Sequence, residues 1–413
     1  MRREDVRPLL ERAVGELPEP DLADSAWTGG LAIRRKRRRS QVLVAALVVL
    51  VLLVGGVLVA VKRPSFGLHP PDVVPTHPPG YVPPAGQIAG MDFWIAPQGG
   101  SEPYLNRMIT PMGGELDYPD NPPPLTERPI DQVAAVVLAR NGDRFRPLLL
   151  ASTSRWSEVD LDLAPIATGA PLSAGSVALS GRLVAFPQPG AVVVVETTTA
   201  AVRRIPLPDQ DIRSVSWFGD RELMLVSSGR RTYRVAPGAA EEVRDFQASV
   251  DPDAATAPYR LDGITSQVVL MRSNLRGWTA QSPLQLPVQR WTGQTFSDGN
   301  LAARTFVSDV LPQVQTVASR PQVVAAVSAV DSRPSRLLVL GETPAATPAP
   351  TGGPVPDAVR ERGCCAVLGW YDNDTLLFKV TGWMLAWSLE TGQVRRVAEL
   401  KVPAVAVGPG LRG

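Results

Sequence analysis

The sequence predicts an all-β globular domain preceded by one membrane-spanning helix. Three observations support this: an uncharged run at residues 42–61, short apolar runs separated by turn residues after residue 91, and a quasi-repeat among those runs. Helical periodicity is absent after residue 91. The chain has 413 residues, of which 44% are hydrophobic. The part that follows the anchor is therefore long enough and apolar enough to bury a core.

Residues 1–40 are predicted to be a cytoplasmic tail that contains one short amphipathic helix. Apolar residues recur at helical spacing among charged ones. Proline residues at positions 18 and 20 end this pattern. A helix of about three turns is too short to be stable alone, so the segment is either a solvated leader or a docking helix for a cytoplasmic partner. The candidate docking residues are Leu9, Leu10, Ala13 and Leu17.

Residues 41–61 are predicted to cross the membrane as one α-helix. About 20 apolar residues rising 1.5 Å each match a hydrocarbon core about 30 Å thick. A basic block precedes them, whereas only Lys62 and Arg63 follow, so the positive-inside rule places the N-terminus in the cytoplasm. A cleaved signal peptide is the main alternative, but its apolar core is shorter, usually about 7–15 residues. The topology-determining residues are Arg34, Arg35, Lys36, Arg37, Arg38 and Arg39.

Residues 62–90 are predicted to form an extracytoplasmic stalk. Eight prolines and few apolar anchors favour an extended polyproline-II path. Both histidines of the chain, His69 and His77, fall in this segment without a nearby acidic or cysteine cluster. We therefore predict neither a metal site nor a cofactor.

Residues 91–413 are predicted to be built from short β-strands. These runs are rich in β-branched and aromatic residues and are separated by polar turns. The clearest predicted strands are Val133–Ala139, Arg146–Ser152, Val177–Leu179, Leu183–Phe186, Val192–Glu196, Val215–Phe218, Leu223–Ser227, Tyr233–Val235, Val268–Met271, Val323–Val327, Arg336–Leu340, Val367–Tyr371, Leu376–Val380 and Met384–Ser388.

Windows beginning at Ser176, Ser214 and Ala366 share one pattern. In each, a strand ends near an aromatic residue, a polar turn and an apolar strand follow, and two more strands complete the unit, the last bearing arginine. Four antiparallel strands in about 40–45 residues make one blade of a β-propeller. Dividing the domain by this length predicts about seven blades, with six to eight allowed, and a β-sandwich is the alternative.

Two stretches of the repeat resemble known propeller families. Trp387-Ser-Leu-Glu-Thr-Gly392 is similar to the end of the third strand in WD40-like and TolB-like repeats, and the stretch Leu179 to Phe186 resembles their second-strand region. The resemblance covers three blades. Ser388 replaces the aspartate of the WD40 pattern and no Gly-His pair occurs, so the buried hydrogen-bond tetrad of WD40 blades is not expected.

The domain lacks the residues of the common catalytic sites. It has no histidine, which excludes Ser-His-Asp and Cys-His mechanisms and most zinc sites there. No phosphate-binding glycine loop occurs. The net charge of the chain is +2, although the basic block at residues 34–39 alone carries six positive charges. The rest of the chain is therefore not basic, and nucleic acid is not expected as a partner. The carboxylate pairs Asp160/Asp162, Asp209/Asp211, Asp251/Asp253 and Asp372/Asp374 are expected to serve turns.

The two cysteines of the chain, Cys364 and Cys365, are neighbours in sequence. Disulfides usually need Cα atoms at least about 4.4 Å apart, and neighbouring Cα atoms lie about 3.8 Å apart. The sequence therefore predicts two unbonded side chains on opposite faces of a strand, with a vicinal redox pair as the alternative.

These observations predict a non-enzymatic binding or sensing module in the cell envelope of a bacterium. Its partner would be a protein, peptide or glycan ligand, and one span would hold it in the lipid bilayer. One alternative is a signalling regulator, similar in layout to membrane-bound anti-sigma factors, whose tail docks a cytoplasmic partner. A second is a cell-wall glycan hydrolase or lyase using two carboxylates.

Overall fold

The computed structural model describes residues 77–218, 223–229, 231–236, 239–242, 259–264, 267–274, 277–284, 286–298, 300–308, 322–328, 334–340 and 365–412. Residues 77–413 form one structural unit. The predicted tail, the span at 41–61 and the basic block lie outside the described residues, as do Leu9, Leu10, Ala13 and Leu17. Within the described ranges, no helix has the length and apolar character needed to cross a bilayer.

The described strands form six sheets, which we number in chain order by their first long strand. Sheet 1 contains β4 (Val133–Asn141), β5 (Arg144–Ala151), β6 (Trp156–Glu158) and β25 (Ala406–Val407). Sheet 2 contains β7 (Leu183–Gln188), β8 (Ala191–Glu196) and β9 (Val202–Pro206). Sheet 3 contains β10 (Ile212–Phe218), β11 (Leu223–Ser228), β12 (Thr232–Ala236) and β13 (Ala239–Glu242).

The remaining three sheets follow in the second half of the chain. Sheet 4 contains β14 (Tyr259–Ile264), β15 (Gln267–Asn274) and β16 (Gly277–Leu284). Sheet 5 contains β17 (Arg290–Asp298), β18 (Leu301–Val307), β19 (Gln322–Ser328), β20 (Arg336–Leu340), β2 (Met91–Ile95) and β1 (Gly86–Ile88). Sheet 6 contains β21 (Ala366–Trp370), β22 (Thr375–Val380), β23 (Trp383–Ser388), β24 (Val394–Leu400) and β3 (Glu115–Leu116).

Each sheet is built around an antiparallel meander, and five pairs of neighbouring sheets pack face to face in the described residues. Shared apolar cores join sheets 4 and 5, 5 and 6, 6 and 1, 1 and 2, and 2 and 3. The innermost strands of the sheets meet one another at the centre: β14 contacts β17, β17 contacts β21, β21 contacts β25, and β7 contacts β10. Successive meanders around a common axis are the architecture of a β-propeller, with each sheet a blade.

Burial on both faces explains the composition of the middle strands. In β8, every residue from Ala191 to Val195 is buried, and in β19 every residue from Val323 to Val327 is buried as well. A strand covered on both sides reads as a continuous apolar run instead of alternating with polar residues. These strands therefore specify the blade cores directly from sequence.

Strands from the two ends of the described region complete several blades. The last strand, β25, pairs antiparallel with β4 and so joins the C-terminus to the first blade. At the other end, β2 pairs parallel with β20, and β3 pairs parallel with β24. Two strands that precede sheet 1 in the chain, β2 and β3, thus cover the outer edges of sheets 5 and 6.

The predicted value of about seven blades is too high. Five blades are described with their side chains, and the three strands of sheet 4 are described mainly by their backbone. The repeat length overestimates the count because long described connections contribute few blade strands. Residues 96–132 contain only a single 3-10 turn and β3, and residues 159–182 contain only one 3-10 turn.

The propeller begins earlier in the chain than the sequence predicts. Residues 77–90 fall in the predicted stalk, yet they belong to the same unit as the blades. Within them, the Val82 backbone N–H donates to the carbonyl of Thr391, and the Val82 carbonyl accepts from Trp94 Nε1 at 2.8 Å. The part of the predicted stalk that lies outside the described residues is 62–76.

Cys365 contradicts the expectation of unbonded cysteines. It is fully buried and disulfide-bonded, and Cys364 lies outside the described residues. The Cα separation on which the expectation rested is a preference of disulfides and not a prohibition.

Candidate functional site

A short 3-10 turn, Ala174–Ser176, lies among the innermost strands; we call it the axial turn. It contacts β7, β10, β21 and β25. From a fifth blade, Gln294 Oε1 accepts the backbone N–H of Gly175 at 3.0 Å. Trp217 Nε1 donates to the carbonyl of Ser176 at 2.8 Å. The axial turn is thereby fixed by hydrogen bonds from β10 and β17.

The axial turn fits its surroundings tightly at Gly175. A Cβ atom at this position would lie 2.5 Å from Ser216 Oγ and 2.9 Å from Ser216 Cβ. Gly175, Ser176 and Gln294 are all buried. Protein atoms therefore fill this part of the propeller axis.

The predicted carboxylate pairs serve turns and ion pairs. Asp209 accepts a hydrogen bond from Ser228 Oγ at 2.6 Å, and Asp211 pairs with Arg213 at 2.9 Å. Asp372 Oδ1 accepts the backbone N–H of Asp374 at 2.9 Å, which is the hydrogen bond of an Asx turn. The prediction that these pairs serve turns is confirmed for Asp372 and Asp374.

Of the other two predicted carboxylate pairs, one lies within the described residues. Asp162 lies 3.8 Å from Arg146 Nε, and Asp160 is exposed beside it, whereas Asp251 and Asp253 lie outside the described residues. Across the described ranges, no three histidine, cysteine or acidic side chains come together as metal ligands would.

Asp209 also contributes to the electrostatics of the buried Tyr233. Burial, and then the nearby Asp209 carboxylate, raise the pKa of the Tyr233 phenol above its usual value. The phenol therefore stays neutral at physiological pH and does not act as a base. Arg231, which lies 3.9 Å from Asp209, forms an ion pair on the same turn.

The most exposed apolar side chains belong to the connection between β2 and β3. Tyr104 is 88% exposed and Ile109 is 89% exposed. Pro103, Asn106 and Arg107 between and beside them are exposed as well. We call residues 103–109 the presenting segment.

Backbone hydrogen bonds fix the presenting segment to the outer strand of sheet 6. The Met108 N–H donates to the Arg396 carbonyl at 2.8 Å, and the Arg396 N–H donates to the Asn106 carbonyl at 3.1 Å. Arg396 Nε donates to the Leu105 carbonyl at 3.0 Å. Met108 itself is buried in the core between sheets 6 and 1. The segment is therefore an ordered part of the blade edge.

Sequence reasoning did not identify the presenting segment. It lies in a stretch with neither strand alternation nor a motif, and exposure of Tyr104 and Ile109 depends on pairing with Arg396, almost 300 residues away. The only signal in the sequence is the density of large apolar residues in a proline-containing segment that predicts no strand.

No family model and no curated protein matches this chain. Among solved structures, TolB from Acinetobacter baumannii is 12% identical, with a TM-score of 0.40 and coverage of 68% of this chain and 67% of TolB. A chain of a nidogen/laminin complex is 10% identical, with a TM-score of 0.35 and coverage of 66% of this chain and 98% of that chain.

A chain of a mitotic checkpoint complex is also similar in structure. It is 16% identical, with a TM-score of 0.31 and coverage of 51% of this chain and 61% of that chain. The propeller assignment rests on the strand order and blade packing of this chain.

Proposed function

We propose that this protein is a membrane-anchored, extracytoplasmic β-propeller that acts as a non-enzymatic binding or sensing module. The observation that carries the proposal is the presenting segment, where a blade edge holds Tyr104 and Ile109 almost fully exposed. Exposed aromatic residues on a rigid backbone contribute strongly to protein interfaces because little entropy is lost when they bind. The ligand is a protein or peptide that covers these two side chains.

The arrangement of polar groups supports binding over catalysis. The axial turn occupies the place where a propeller would otherwise offer a central channel. Asp209, Asp211 and Asp372 are engaged by neighbouring groups of the protein. The glycan hydrolase alternative needs two carboxylates facing one substrate bond, and these engagements do not favour it.

The envelope location rests on the sequence. The basic block Arg34–Arg39 followed by the uncharged run at 42–61 supports one retained span with the propeller outside. Protease added to intact spheroplasts is expected to degrade the propeller and leave a short membrane-bound fragment. Complete protection of residues 77–413 in intact spheroplasts, with degradation after lysis, would contradict this location.

A second candidate function is a transmembrane signalling regulator. The amphipathic spacing of Leu9, Leu10, Ala13 and Leu17 favours a tail that docks a cytoplasmic partner. Changing Leu9 and Leu10 to aspartate is expected to abolish capture of that partner and to leave membrane insertion intact. A tail of residues 1–40 that retains nothing above background would leave the propeller as the only binding region.

The binding proposal makes a direct prediction for the presenting segment. The double variant Tyr104→Ala/Ile109→Ala is expected to lose at least about tenfold in affinity for its envelope ligand, because truncating a central interface residue costs about 2 kcal/mol or more. The measurement is retention of solubilised envelope protein on the immobilised full-length chain. The matched control is Leu179→Ala. It truncates a side chain that is 64% exposed in the connection between the axial turn and β7. Equal retention by both variants would refute the assignment of this surface.

A further inference from the structure

Among the described strands, only β8 pairs with β9, and β13 approaches β9 without pairing with it. Sheet 2 has the order β7-β8-β9, so β9 pairs with β8 on one side only. The β8–β9 register is regular, with Val195 opposite Val202 and Val193 opposite Arg204. No backbone group of β9 bonds to a described residue on the other side. An unpaired edge of this kind is a template for strand addition.

The hydrogen bonds at the two ends of the β8–β9 pairing show which backbone groups of β9 point away from β8. The Glu196 N–H donates to the Ala201 carbonyl, and the Leu207 N–H donates to the Gly190 carbonyl. Because bonded and non-bonded pairs alternate in an antiparallel ladder, Val202, Arg204 and Pro206 are in non-bonded pairs with β8. The N–H and carbonyl groups of Val202 and Arg204, together with the Pro206 carbonyl, therefore point away from the sheet.

The side chains on this edge are exposed and basic. Val202 is 47% exposed, and Arg203, Arg204 and Pro206 are exposed as well. Arg204 Nη2 donates to the Pro189 carbonyl at 3.2 Å. The Arg203 guanidinium has no hydrogen bond or ion pair with any residue in the described ranges. Because neighbouring strand residues point to opposite faces, the edge presents one arginine on each face.

Three other blades of the same molecule show what their outer edges accept. The edge of sheet 5 pairs in parallel with β2, and the edge of sheet 6 pairs in parallel with β3. On sheet 1, residue Pro124 bridges Glu158 in parallel, and the Leu125 N–H donates to the Glu158 carbonyl at 2.7 Å. In each case an extended segment runs parallel to the outermost strand. The edge of sheet 2 has no such cover among the described residues.

We propose that β9 is a second binding site, which captures an extended acidic peptide segment of a partner protein as an added parallel strand. Main-chain hydrogen bonds to Val202, Arg204 and Pro206 would supply affinity, and ion pairs with Arg203 and Arg204 would select for acidic side chains. This site is separate from the presenting segment, so it stands or falls independently of the proposed function.

The test uses a fluorescent capped peptide of about seven residues, the usual length of a strand, with a central Glu-Glu pair flanked by valine and threonine. Adjacent glutamates point to opposite faces and so match Arg203 and Arg204. The peptide is titrated against the full-length chain in mild detergent and followed by fluorescence anisotropy. We expect saturable binding that weakens as salt is raised.

Peptide controls separate strand addition from simple charge attraction. A Lys-Lys peptide of otherwise identical sequence is expected not to bind. Two further peptides carry N-methyl groups on alternate residues, one on the odd-numbered and the other on the even-numbered residues. The peptide whose methylated N–H groups would point toward β9 is expected not to bind, because it lacks the hydrogen-bond donors of the added strand. Equal binding of both methylated peptides would overturn the proposal in favour of ion attraction alone.

Protein variants test the two contributions separately. Arg203→Glu/Arg204→Glu is expected to weaken binding at least about tenfold, because attraction becomes repulsion at both positions. Val202→Pro removes one outward N–H without altering a bond to β8 and is expected to weaken binding while circular dichroism stays unchanged. The charge-matched control is Arg144→Glu/Arg155→Glu on sheet 1, where both arginines are exposed. Equal loss in this control, or no saturable binding of the peptide to the original chain, would refute the site.

Discussion

Replacing Arg304 with alanine is expected to lower the free energy of unfolding by about 3–5 kcal/mol, because two carbonyl groups lose charged hydrogen bonds worth about 1.5–3 kcal/mol each. Arg304 is only 1% exposed, in the middle of β18. Its Nε donates to the Gly293 carbonyl at 2.9 Å, and its Nη1 donates to the Leu261 carbonyl at 3.1 Å. Arg304 therefore ties sheet 4 to sheet 5.

The geometry of the guanidinium makes this prediction specific. Arg304 also lies over the Trp291 ring, with Cζ 5.4 Å from the ring centroid. Arg304→Lys keeps the charge but not the planar fork that reaches both carbonyls, so an intermediate loss is expected. Arg144→Ala, at an exposed site, is expected to change stability by no more than about 0.5 kcal/mol. Urea unfolding followed by tryptophan fluorescence measures all three, and an equal effect of Arg304→Ala and Arg144→Ala would contradict the assigned role.

The second large effect is expected at the axial turn. Gly175→Ala places a Cβ atom 2.5 Å from Ser216 Oγ and 2.9 Å from Ser216 Cβ. Neither gap accommodates a carbon atom, so the turn has to move away from β10. Overpacking of this kind costs about 1–3 kcal/mol. The expected result is a lower urea midpoint together with a weakened Gly175–Gln294 hydrogen bond, read as faster amide exchange at residue 175.

A second-site change tests whether the clash is the cause. Ser216→Gly removes the Oγ and Cβ atoms that the new methyl group meets. The double variant Gly175→Ala/Ser216→Gly is therefore expected to lose less stability than the sum of the two single variants, since residues in contact are not additive. Strict additivity would show that the close approach to Ser216 is not the cause of the loss.

The blade strands are largely predictable because their signal is local. Leu183–Phe186, Val192–Glu196 and Arg336–Leu340 lie within or coincide with β7, β8 and β20. Both faces of these strands are buried, so continuous apolar sequence marks them. Val177–Leu179 is the exception: Val177 forms only an isolated bridge with Val184, because the axial turn immediately precedes it.

Strands that carry polar residues for a long-range reason were not predicted. In β18 the run Leu301–Val307 is interrupted by Arg304, whose burial depends on carbonyl groups of sheets 4 and 5. Likewise β2 and β3 are strands only because they pair in parallel with β20 and β24, far away in the chain. Propensity within a short window does not contain such pairings.

The candidate binding surfaces could be predicted only in part. The sequence contains no histidine after His77, which stacks on Tyr81 at the start of the propeller unit, and it favours a binding role on that ground. It does not reveal that Tyr104 and Ile109 are presented by Arg396, or that no described strand pairs with the outer edge of β9, because both depend on which segments cover which blade edges. Edge coverage is a property of the assembled propeller.

The central claim is that the presenting segment contacts a ligand in the cell envelope. Its most direct test places the photo-reactive residue p-benzoylphenylalanine at position 104 or 109, one at a time, in the full-length protein of intact cells. Irradiation is expected to give one discrete crosslinked product from each position, and the product from position 104 should disappear when Ile109→Asp is added. The same probe at Leu179, exposed elsewhere on the propeller, is expected to give no such product. Absence of a product at 104 and 109, or the same products from all three positions, would contradict the account.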